Sequence, residues 1–503
     1  MVPTLTSTAV ALNDATLDRL PASVQRPTYD RSALTPGIVH IGVGGFHRAH
    51  QAVYLDELAA TGVTDWGLVG VGLHRPEMGE VLAAQDGLYL VVERDAEEDR
   101  GRVVGAMTRY LYAPQDPEAV LAVLVAASTR VVSMTITGTS YLIDPHTGQF
   151  EADDEVLSDL NEDGDPTTVF GYLVEALARR RAAGVGPFTV LSCDNMPSNG
   201  TAACTAIVSF ARMRDDDLAD WIDEQVCFPS SMVDRITPTT TPQERDAVVE
   251  RLGVEDRWPV ITEPFRQWVV EDSFCQGRPP LERVGVQFVA DVAPYEQMKT
   301  RLLNGAHTAL GYLGYLAGYR TTDQLMADPV FAAYLRTMMA GEIAPLLPDV
   351  PGIDLEAYQR TLASRLANPR MGDELARLCR RGSTKVANYL LPSILAAREA
   401  DRSHELLTLA VAGWLRFLRG YDYAGREVPV EDPRRHLVDL ARRSGTDPRP
   451  VLSGHDVFGH LGSEPDFVAA VEAHLAALED AGPREAIEAC LATRASAGRD
   501  GRP

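Results

Sequence analysis

One helical segment carries an acid, an amine, an amide and an imidazole at spacings that bring them to one face. Glu296, Lys299, Asn304 and His307 lie within the segment YEQMKTRLLNGAH. At about 100° per residue, these four side chains fall within an arc of about 140°. A proton-transfer site needs a base together with groups that hold the reacting oxygen. The alternative is the solvated face of an amphipathic helix, although the flanking residues are largely apolar.

Lysine is almost absent from the chain. Of the 47 basic residues, only Lys299 and Lys385 are lysine. Arginine keeps its proton, whereas lysine is a compact amine that can lose it, so the two retained lysines mark positions that resist arginine. Lys385 follows a predicted helix in which Gly382 is expected to act as the stop signal. It could share a polar cavity with Arg377, or it could be a surface cation near a helix C-terminus.

Asn195 follows a short apolar run, FTVLSC, that fits a buried strand. In an open parallel sheet, ligands bind outside the carboxyl ends of the strands. The Asn195 amide could therefore donate to a substrate oxygen. An Asx-turn or a helix cap is the alternative use of this residue.

A glycine-rich turn connects an early apolar run to a helical pattern, in the sequence IVHIGVGGFHRAH. Gly42 and Gly44 let the backbone turn tightly and approach a pyrophosphate, and the following helix N-terminus offers free N–H groups to it. A third glycine in GxGxxG spacing is missing, because His47 holds that position. A tight turn in any α/β protein would give the same short pattern.

The cofactor's adenosine end is predicted to lie near the end of the second strand, WGLVGVGL. An acid at this point favours NAD, and an arginine can accommodate the extra phosphate of NADP. Glu77 favours NAD and Arg75 favours NADP, so the sequence leaves both cofactors open.

Strand-like and helical segments alternate up to about residue 290, and helical segments alone follow. Alternation of this kind predicts a parallel sheet with helices on both faces. The sequence therefore predicts an α/β fold. A Rossmann-type dinucleotide-binding domain is expected over residues 1–290 and an all-helical substrate-binding and catalytic domain over residues 291–503.

Composition excludes several classes of function. The formal charge is 47 − 71 = −24, which disfavours binding to nucleic acid. The longest apolar run, Ala119–Ala127, is about half the length of a membrane helix, and the first residues lack the pattern of a signal peptide. None of the six cysteines has metal-ligand spacing, so no metal site is predicted. We expect a cytoplasmic protein with reduced thiols, acting as a monomer or weak oligomer.

Several segments together resemble the polyol-specific long-chain dehydrogenases, the mannitol dehydrogenase family. The resemblance covers about residues 25–480, and its central motif is KxxxxNGxH combined with SCDN at a strand end. Within the family, VPGIDL and GSTK are most similar to the mannitol 2-dehydrogenases, and YLGYLAGY also occurs in fructuronate reductases. The segments that carry the resemblance are GIVHIGVGGFHRAHQAVYLDEL, SCDNMPSNG, MVDRITP, TEPFRQWVVEDSF and YEQMKTRLLNGAHTALGYLGYLAGY.

The resemblance implies a metal-independent enzyme that transfers hydride between NAD, or NADP, and a small polyol or sugar-acid substrate. The pair D-mannitol and D-fructose is expected first. It also implies that Lys299 is the general base, that Asn195 and Asn304 polarise the reacting oxygen, and that His307 orients the substrate. Glu296 would serve a proton path. Sugar hydroxyls would bind to Asp234, Arg377 and Lys385, and the cofactor to Gly42, Gly44, Gly45, Phe46 and Arg48.

One loop departs from the family pattern. The family usually has TITEGGY after the third strand, whereas this chain has TITGTSY at residues 135–141, so the glutamate and both glycines are replaced. This loop is expected near the nicotinamide, and its change leaves a fructuronate (mannonate) reductase and an arabinitol dehydrogenase open as alternatives. A catalytically inactive nucleotide-sensing protein is the competing hypothesis from another functional class, and the intact Lys299, Asn304, His307 and Asn195 set argues against it.

Overall fold

A computed structural model describes residues 9–144, 147–161 and 164–500 of the chain, with side chains described up to residue 494. The chain divides into two compact units, Met1–Ala293 and Pro294–Pro503. The first unit contains the β-strands and the second is built from helices.

The strands of the first unit form four sheets. Within the described residues, the strands are β1 (Val10–Ala11), β2 (Val24–Gln25), β3 (Pro36–Ile41), β4 (Gly67–Gly72), β5 (Tyr89–Arg94), β6 (Asp99–Val104), β7 (Met107–Tyr112), β8 (Val131–Met134), β9 (Thr189–Ser192), β10 (Ser231–Asp234), β11 (Val254–Glu255), β12 (Val260–Thr262), β13 (Gln267–Glu271) and β14 (Gln287–Val289).

The central sheet has five parallel strands in the order β7-β4-β3-β8-β9. This is the order 3-2-1-4-5 of a doubly wound nucleotide-binding sheet, with the switch point between β3 and β8. The strands β4, β8 and β9 are buried along their whole length, because helices cover both faces. The α/β fold class expected from the alternation of strands and helices is confirmed.

The sequence pattern did not predict the smaller sheets. A four-stranded sheet has the order β12-β5-β6-β2, a three-stranded sheet has the order β10-β13-β14, and β1 pairs with β11. In the four-stranded sheet, β6 has the polar sequence DRGRVV, which does not resemble a buried strand, yet it pairs antiparallel with β5 along six residues. Pairing with the neighbouring strands of the sheet, and not an apolar pattern of its own, stabilises β6.

Helices surround the central sheet and make up the second unit. In the first unit they are α1 (Gly45–Ala49), α2 (Gln51–Ala60), α3 (Pro76–Ala84), α4 (Pro117–Val125), α5 (Asp154–Ser158), α6 (Val169–Ala182), α7 (Asn199–Arg214), α8 (Asp216–Gln225) and α9 (Pro242–Leu252). From the unit boundary onward they are α10 (Ala293–Lys299), α11 (Gly305–Leu316), α12 (Thr322–Met326), α13 (Pro329–Met338), α14 (Leu355–Leu366), α15 (Leu375–Cys379), α16 (Gly382–Lys385), α17 (Leu391–Glu399), α18 (Glu405–Leu418), α19 (Arg435–Ser444), α20 (Arg449–Leu452), α21 (His455–Phe458), α22 (Pro465–Ala481) and α23 (Pro483–Asp500).

The helical unit packs around α11 and α18, whose residues are almost all buried. The helical segments expected after about residue 290 are present, and α14 and α22 are among the longer ones. Three short π-helical turns interrupt the helical unit, at Thr300–Asn304, Met339–Ile343 and Val386–Leu390. Such turns widen the helix locally and are frequent at functional sites.

Candidate functional site

The segment with Lys299 is not a regular α-helix. The α10 helix ends at Lys299, a π turn covers Thr300–Asn304, and α11 begins at Gly305. A π turn has more residues per turn than an α-helix, so the arc of about 140° calculated for a uniform α-helix does not describe these side chains. The Lys299 residue is 5% exposed. Glu296, Asn304 and His307 are half-buried.

The electrostatics of His307 show which charged residues lie near it. Burial is the main cause that holds the pKa of His307 well below its usual value. The positive charges of Arg377, Arg365, Lys385 and Lys299 lower the pKa further. The fold therefore brings Lys299, Arg377 and Lys385 to the surroundings of His307, together with Arg365, which the sequence analysis did not identify. The imidazole is neutral at pH 7 and can accept or donate a hydrogen bond without a charge change.

The His307 Nε2 atom is buried and has no hydrogen-bond partner among the residues that the structure describes. A buried polar atom without a partner is costly, so it usually marks a position that a ligand or water fills. A sugar hydroxyl could fill this role.

Lys385 is fixed by carbonyl groups at the end of a short helix. Its Nζ atom donates to the Leu378 carbonyl oxygen at 2.7 Å, and the Arg377 carbonyl oxygen lies at 3.5 Å. Burial and the Arg377 charge lower the pKa of Lys385 to about 8. The Lys385 ammonium group thus lies at the C-terminus of α15, but the residue is half-buried and is not the surface cation of the alternative hypothesis.

The expectation that Gly382 ends a helix is wrong, because α15 already ends at Cys379 and Gly382 begins α16. Glycine is needed here for close packing. A Cβ atom at this position would lie 2.6 Å from the Tyr312 hydroxyl oxygen and even nearer to Nε1 of Trp414. The preceding Arg381 has φ = +57°, a conformation that costs free energy in a residue with a side chain.

Arg377 is held by an acid that the sequence analysis missed. Its guanidinium donates to Oδ1 of Asp373 at 2.5 Å and 2.8 Å, while the Asp373 side chain is only 5% exposed. The Arg377 side chain itself is 48% exposed. The spacing of four residues is an ordinary helical ion-pair spacing, and this was the signal available in the sequence.

The two lysines precede two π turns that pack against each other, Thr300–Asn304 and Val386–Leu390. The Tyr389 hydroxyl oxygen accepts a hydrogen bond from the Asn304 side chain, and this contact lowers the pKa of Tyr389 against the larger effect of burial, which raises it. A Cβ atom at Gly305 would lie 3.2 Å from the Tyr389 carbonyl oxygen. The glycine of the KxxxxNGxH motif thus permits this close approach. No periodic pattern in the sequence pointed to Tyr389.

In the first unit, the glycine turn follows β3 as expected. Gly42 has φ = +95°, and a Cβ atom there would overlap the Thr135 carbonyl oxygen. Gly44 precedes α1 in extended conformation, and a Cβ atom there would meet only the Gly42 carbonyl oxygen, at 3.9 Å. Gly44 is exposed, and Gly45 and Phe46 are half-buried. The backbone of the turn is therefore open to a ligand.

The helix after the turn is shorter than the continuous pattern suggested, because His50 separates α1 from α2. The Arg48 residue is 2% exposed and donates to the Trp258 carbonyl oxygen at 2.5 Å. Its guanidinium also lies 5.4 Å from the centre of the Tyr89 ring. These contacts are internal to the first unit, so the Arg48 side chain supports the turn from within.

Two buried imidazoles also support the glycine turn. The rings of His40 and His47 stack with centroids 3.4 Å apart. His40 contacts Ser133 at 2.8 Å and Thr135 at 3.1 Å through its two ring nitrogens. Burial lowers the pKa of His40 to about 3, so this ring is neutral at pH 7.

The end of β9 organises the loop that departs from the family pattern. Asp194 accepts hydrogen bonds from the backbone N–H of Thr137 at 2.7 Å and of Ile136 at 3.1 Å, and from the Tyr141 hydroxyl at 2.8 Å. The buried Asp194 thus holds this loop in place by three hydrogen bonds. The neighbouring Asn195 is exposed. Thr137 has φ = +77°, which shows that the replaced sequence still makes an unusual turn.

The start of β10 lies beside the end of β9. Asn199 connects these two points, since its side chain donates to the carbonyl oxygens of Asp194 and Ser231 at 2.9 Å and 2.8 Å and accepts from the Ser231 N–H. Asp234 ends β10 and is 4% exposed. Its negative charge reaches the buried His50.

A cleft of about 260 Å³ lies at the carboxyl ends of β4 and β8. Such a crevice beside the first strand is where doubly wound sheets bind nucleotides. Its lining includes His74, which follows β4, and Ser140, which belongs to the altered loop. The acids Asp153 and Glu155 also line it.

Two negative findings concern only the described part of the chain. No group of three or more histidine, cysteine, aspartate or glutamate side chains is placed to hold a metal ion there. No helix there is long and apolar enough to cross a membrane.

The chain is similar to known dehydrogenases over nearly its whole length. The model of the mannitol dehydrogenase Rossmann domain matches residues 36–283, and the model of the mannitol dehydrogenase C-terminal domain matches residues 291–479. Mannitol dehydrogenase 2 of Saccharomyces cerevisiae is 43% identical over 96% of this chain and 98% of its own length. Mannitol 2-dehydrogenase of Phaeosphaeria nodorum is 43% identical over 95% of this chain and 85% of its own length.

Two solved structures share the fold. The Pseudomonas fluorescens mannitol 2-dehydrogenase ternary complex with NAD and D-mannitol is 41% identical, with a TM-score of 0.87 over 96% of this chain and 99% of that chain. A D-sorbitol dehydrogenase in substrate-free form is 38% identical, with a TM-score of 0.88 over 95% of this chain and 100% of that chain. The resemblance seen in the sequence motifs is confirmed: the chain belongs to the mannitol dehydrogenase family.

Proposed function

We propose that this protein is an NAD-dependent polyol dehydrogenase that interconverts D-mannitol and D-fructose. The proposal depends on the cluster around His307. In this cluster a buried Lys299 lies near the imidazole, whose buried Nε2 atom has no hydrogen-bond partner among the described residues. The similarity to mannitol 2-dehydrogenases over 95% of the chain supports this substrate pair. Bound NAD supplies the hydride acceptor. A cytoplasmic location and a monomer or weak oligomer belong to the same proposal.

In this proposal, Lys299 removes the proton from the reacting hydroxyl of the polyol. A lysine in water holds its proton up to pH ~10.4, so the base must act from a dry and positively charged environment. Lys299 is buried, and its charge, like those of Lys385 and Arg377, acts on the same imidazole. Burial favours the neutral amine, which is the form a base requires. Glu296, half-buried one helical turn earlier, is proposed to pass the proton to water.

The reacting oxygen needs donors as its negative charge develops. We propose that Asn304 donates its amide N–H group to this oxygen, and the family resemblance supports a donor role for the Asn195 amide as well. Amides suit this role because they donate at any pH, and the loss of one such donor typically costs roughly 10²–10³ in rate. His307 is proposed to orient the substrate through its buried Nε2 atom, and Asp234, Arg377 and Lys385 to bind the remaining hydroxyls.

The glycine turn fits the pyrophosphate of NAD. Gly44 is exposed, and neither Gly44 nor Gly45 carries a side chain that would keep a phosphate from the backbone. We propose that this backbone holds the pyrophosphate. Arg48 supports the turn through the Trp258 carbonyl group. The acids Asp153 and Glu155 at the cleft favour NAD, because they would repel the extra phosphate of NADP.

The test is the oxidation of polyols followed by the absorbance of NADH. We expect turnover with D-mannitol, with D-sorbitol, arabinitol and mannonate as comparisons, and the reverse reaction with fructose and not with fructuronate. The Lys299→Ala variant should lose at least about 10²-fold in turnover near neutral pH and keep its affinity for NAD. Lys299→Arg should also fail, because arginine keeps its proton. Near-normal turnover in either variant would contradict the role of Lys299.

A further inference from the structure

The first unit contains a pair of neighbouring thiols outside the proposed active site. The backbone N–H of Cys227 donates to the Cys275 sulfur at 3.0 Å. The two thiols are also close enough for a hydrogen bond between them. All six cysteines are free thiols in the structure, and Cys227 and Cys275 are both half-buried. We propose that Cys227 and Cys275 form a reversible disulfide when the protein meets a two-electron oxidant such as hydrogen peroxide.

The geometry permits a disulfide with little movement. The Cys227 sulfur is three bonds away from the nitrogen that contacts the Cys275 sulfur, and rotation about the Cys227 Cα–Cβ bond changes its direction. A disulfide needs the two sulfur atoms to come within bonding distance, and the 3.0 Å contact of the Cys227 nitrogen with the Cys275 sulfur, together with the hydrogen bond between the thiols, keeps the two side chains adjacent. Both cysteines lie in segments outside regular helices and strands, where the backbone can adjust.

The chemistry balances with peroxide as the named oxidant. One thiolate attacks a peroxide oxygen, which breaks the O–O bond, forms a sulfenic acid and releases one water after protonation. The second thiol then attacks the sulfenic sulfur, which forms the S–S bond and releases a second water. The two sulfurs lose two electrons in total, and the peroxide gains them. A thiol reductant reverses the reaction by exchange.

The surroundings set the speed of this reaction. Burial raises the pKa of the Cys275 thiol to about 11, so little thiolate forms there at neutral pH. The guanidinium of the buried Arg180 interacts electrostatically with Cys275, and a nearby cation favours a thiolate. The rate of closure should therefore increase as the pH rises from 7 to 9.

The bond would connect two segments that both attach to the start of β9. The Cys227 carbonyl oxygen accepts from the Val190 N–H at 3.0 Å, and the Cys275 N–H donates to the Thr189 hydroxyl oxygen at 2.9 Å. The disulfide would close a loop of about fifty residues, which lowers the conformational entropy of the unfolded chain and so stabilises the folded protein. Oxidation should therefore raise the midpoint of thermal unfolding by several degrees, and a reductant should reverse this.

The experiment uses the full-length protein treated with hydrogen peroxide and then unfolded for thiol counting. We expect the number of titratable thiols to fall from six to four. Peptide mapping without reductant should give a Cys227–Cys275 cross-linked peptide that is lighter by two hydrogens. Cys227→Ser and Cys275→Ser should abolish the cross-link, whereas the control Cys204→Ser, another half-buried thiol, should keep it. Six remaining thiols, a cross-link between other cysteines, or sulfinic acid at either position without a cross-link would overturn the proposal.

Discussion

Gly44 separates the requirements of the fold from those of the cofactor. Its backbone is extended, with φ = −98° and ψ = −175°, which any residue can adopt. A Cβ atom at this position would meet nothing closer than the Gly42 carbonyl oxygen at 3.9 Å. Gly44→Ala should therefore fold normally while placing a methyl group where we propose that the pyrophosphate binds.

The expected sizes follow from these contacts. Replacing glycine by alanine at a compatible backbone stabilises by about 0.4–1 kcal/mol, and alanine is a poorer N-cap residue by a similar amount, so the free energy of unfolding should change by less than about 1 kcal/mol. A methyl group in the phosphate position should raise the Kd for NAD by at least about tenfold, which corresponds to about 1.4 kcal/mol.

Gly42→Ala is the matched control with the opposite expectation. The position has φ = +95°, and its new Cβ atom would overlap the Thr135 carbonyl oxygen, so the variant should lose about 2 kcal/mol or more of stability. The assays are urea unfolding and calorimetric titration with NAD for both variants. A Gly44→Ala protein that binds NAD like the unmodified protein, or that unfolds as early as Gly42→Ala, would refute the reasoning.

Three further predictions concern the helical unit. Gly382→Ala should destabilise the unit by about 1–3 kcal/mol, because its methyl group would meet the buried Tyr312 and Trp414. The measurement is urea unfolding followed by tryptophan fluorescence, and an unchanged midpoint would contradict this packing argument. Tyr389→Phe should lower kcat by about tenfold and leave the Kd for NAD unchanged, because Tyr389 positions the Asn304 side chain by a hydrogen bond. In an Asn304→Ala background the same substitution should have no further effect on kcat, and additive losses would contradict this role. The pKa of Lys385 is about 8, below the ~10.4 of an unfolded lysine, so burial of its charge destabilises the folded protein below pH 8 and this cost decreases as the pH rises towards 10.4. Unfolding midpoints measured from pH 7 to 10 should therefore rise more in the unmodified protein than in Lys385→Met. Equal slopes in the two proteins would exclude this linkage.

Much of the fold was predictable because the central sheet has a local signature. Buried parallel strands appear as apolar runs such as those that became β4, β8 and β9, and the glycine turn after β3 has its own spacing. The strand β6 was not predictable, because its partner β5 and not its own pattern keeps it in a sheet. The π turn after Lys299 was equally hidden, since periodicity assumes a constant number of residues per turn.

The sequence by itself determined the class of chemistry. The nearly complete replacement of lysine by arginine singled out Lys299 and Lys385, and the KxxxxNGxH spacing associated the first of them with Asn304 and His307. These are local facts of residue type and spacing, and they need no contacts between distant segments.

Only the tertiary structure decided the environment of those residues. The burial of Lys299, the cations around His307 and the contact of Tyr389 with Asn304 all depend on segments that are far apart in the chain. The physical reason is that a pKa depends on desolvation and on nearby charges, which are set by packing in three dimensions and not by the order of residues.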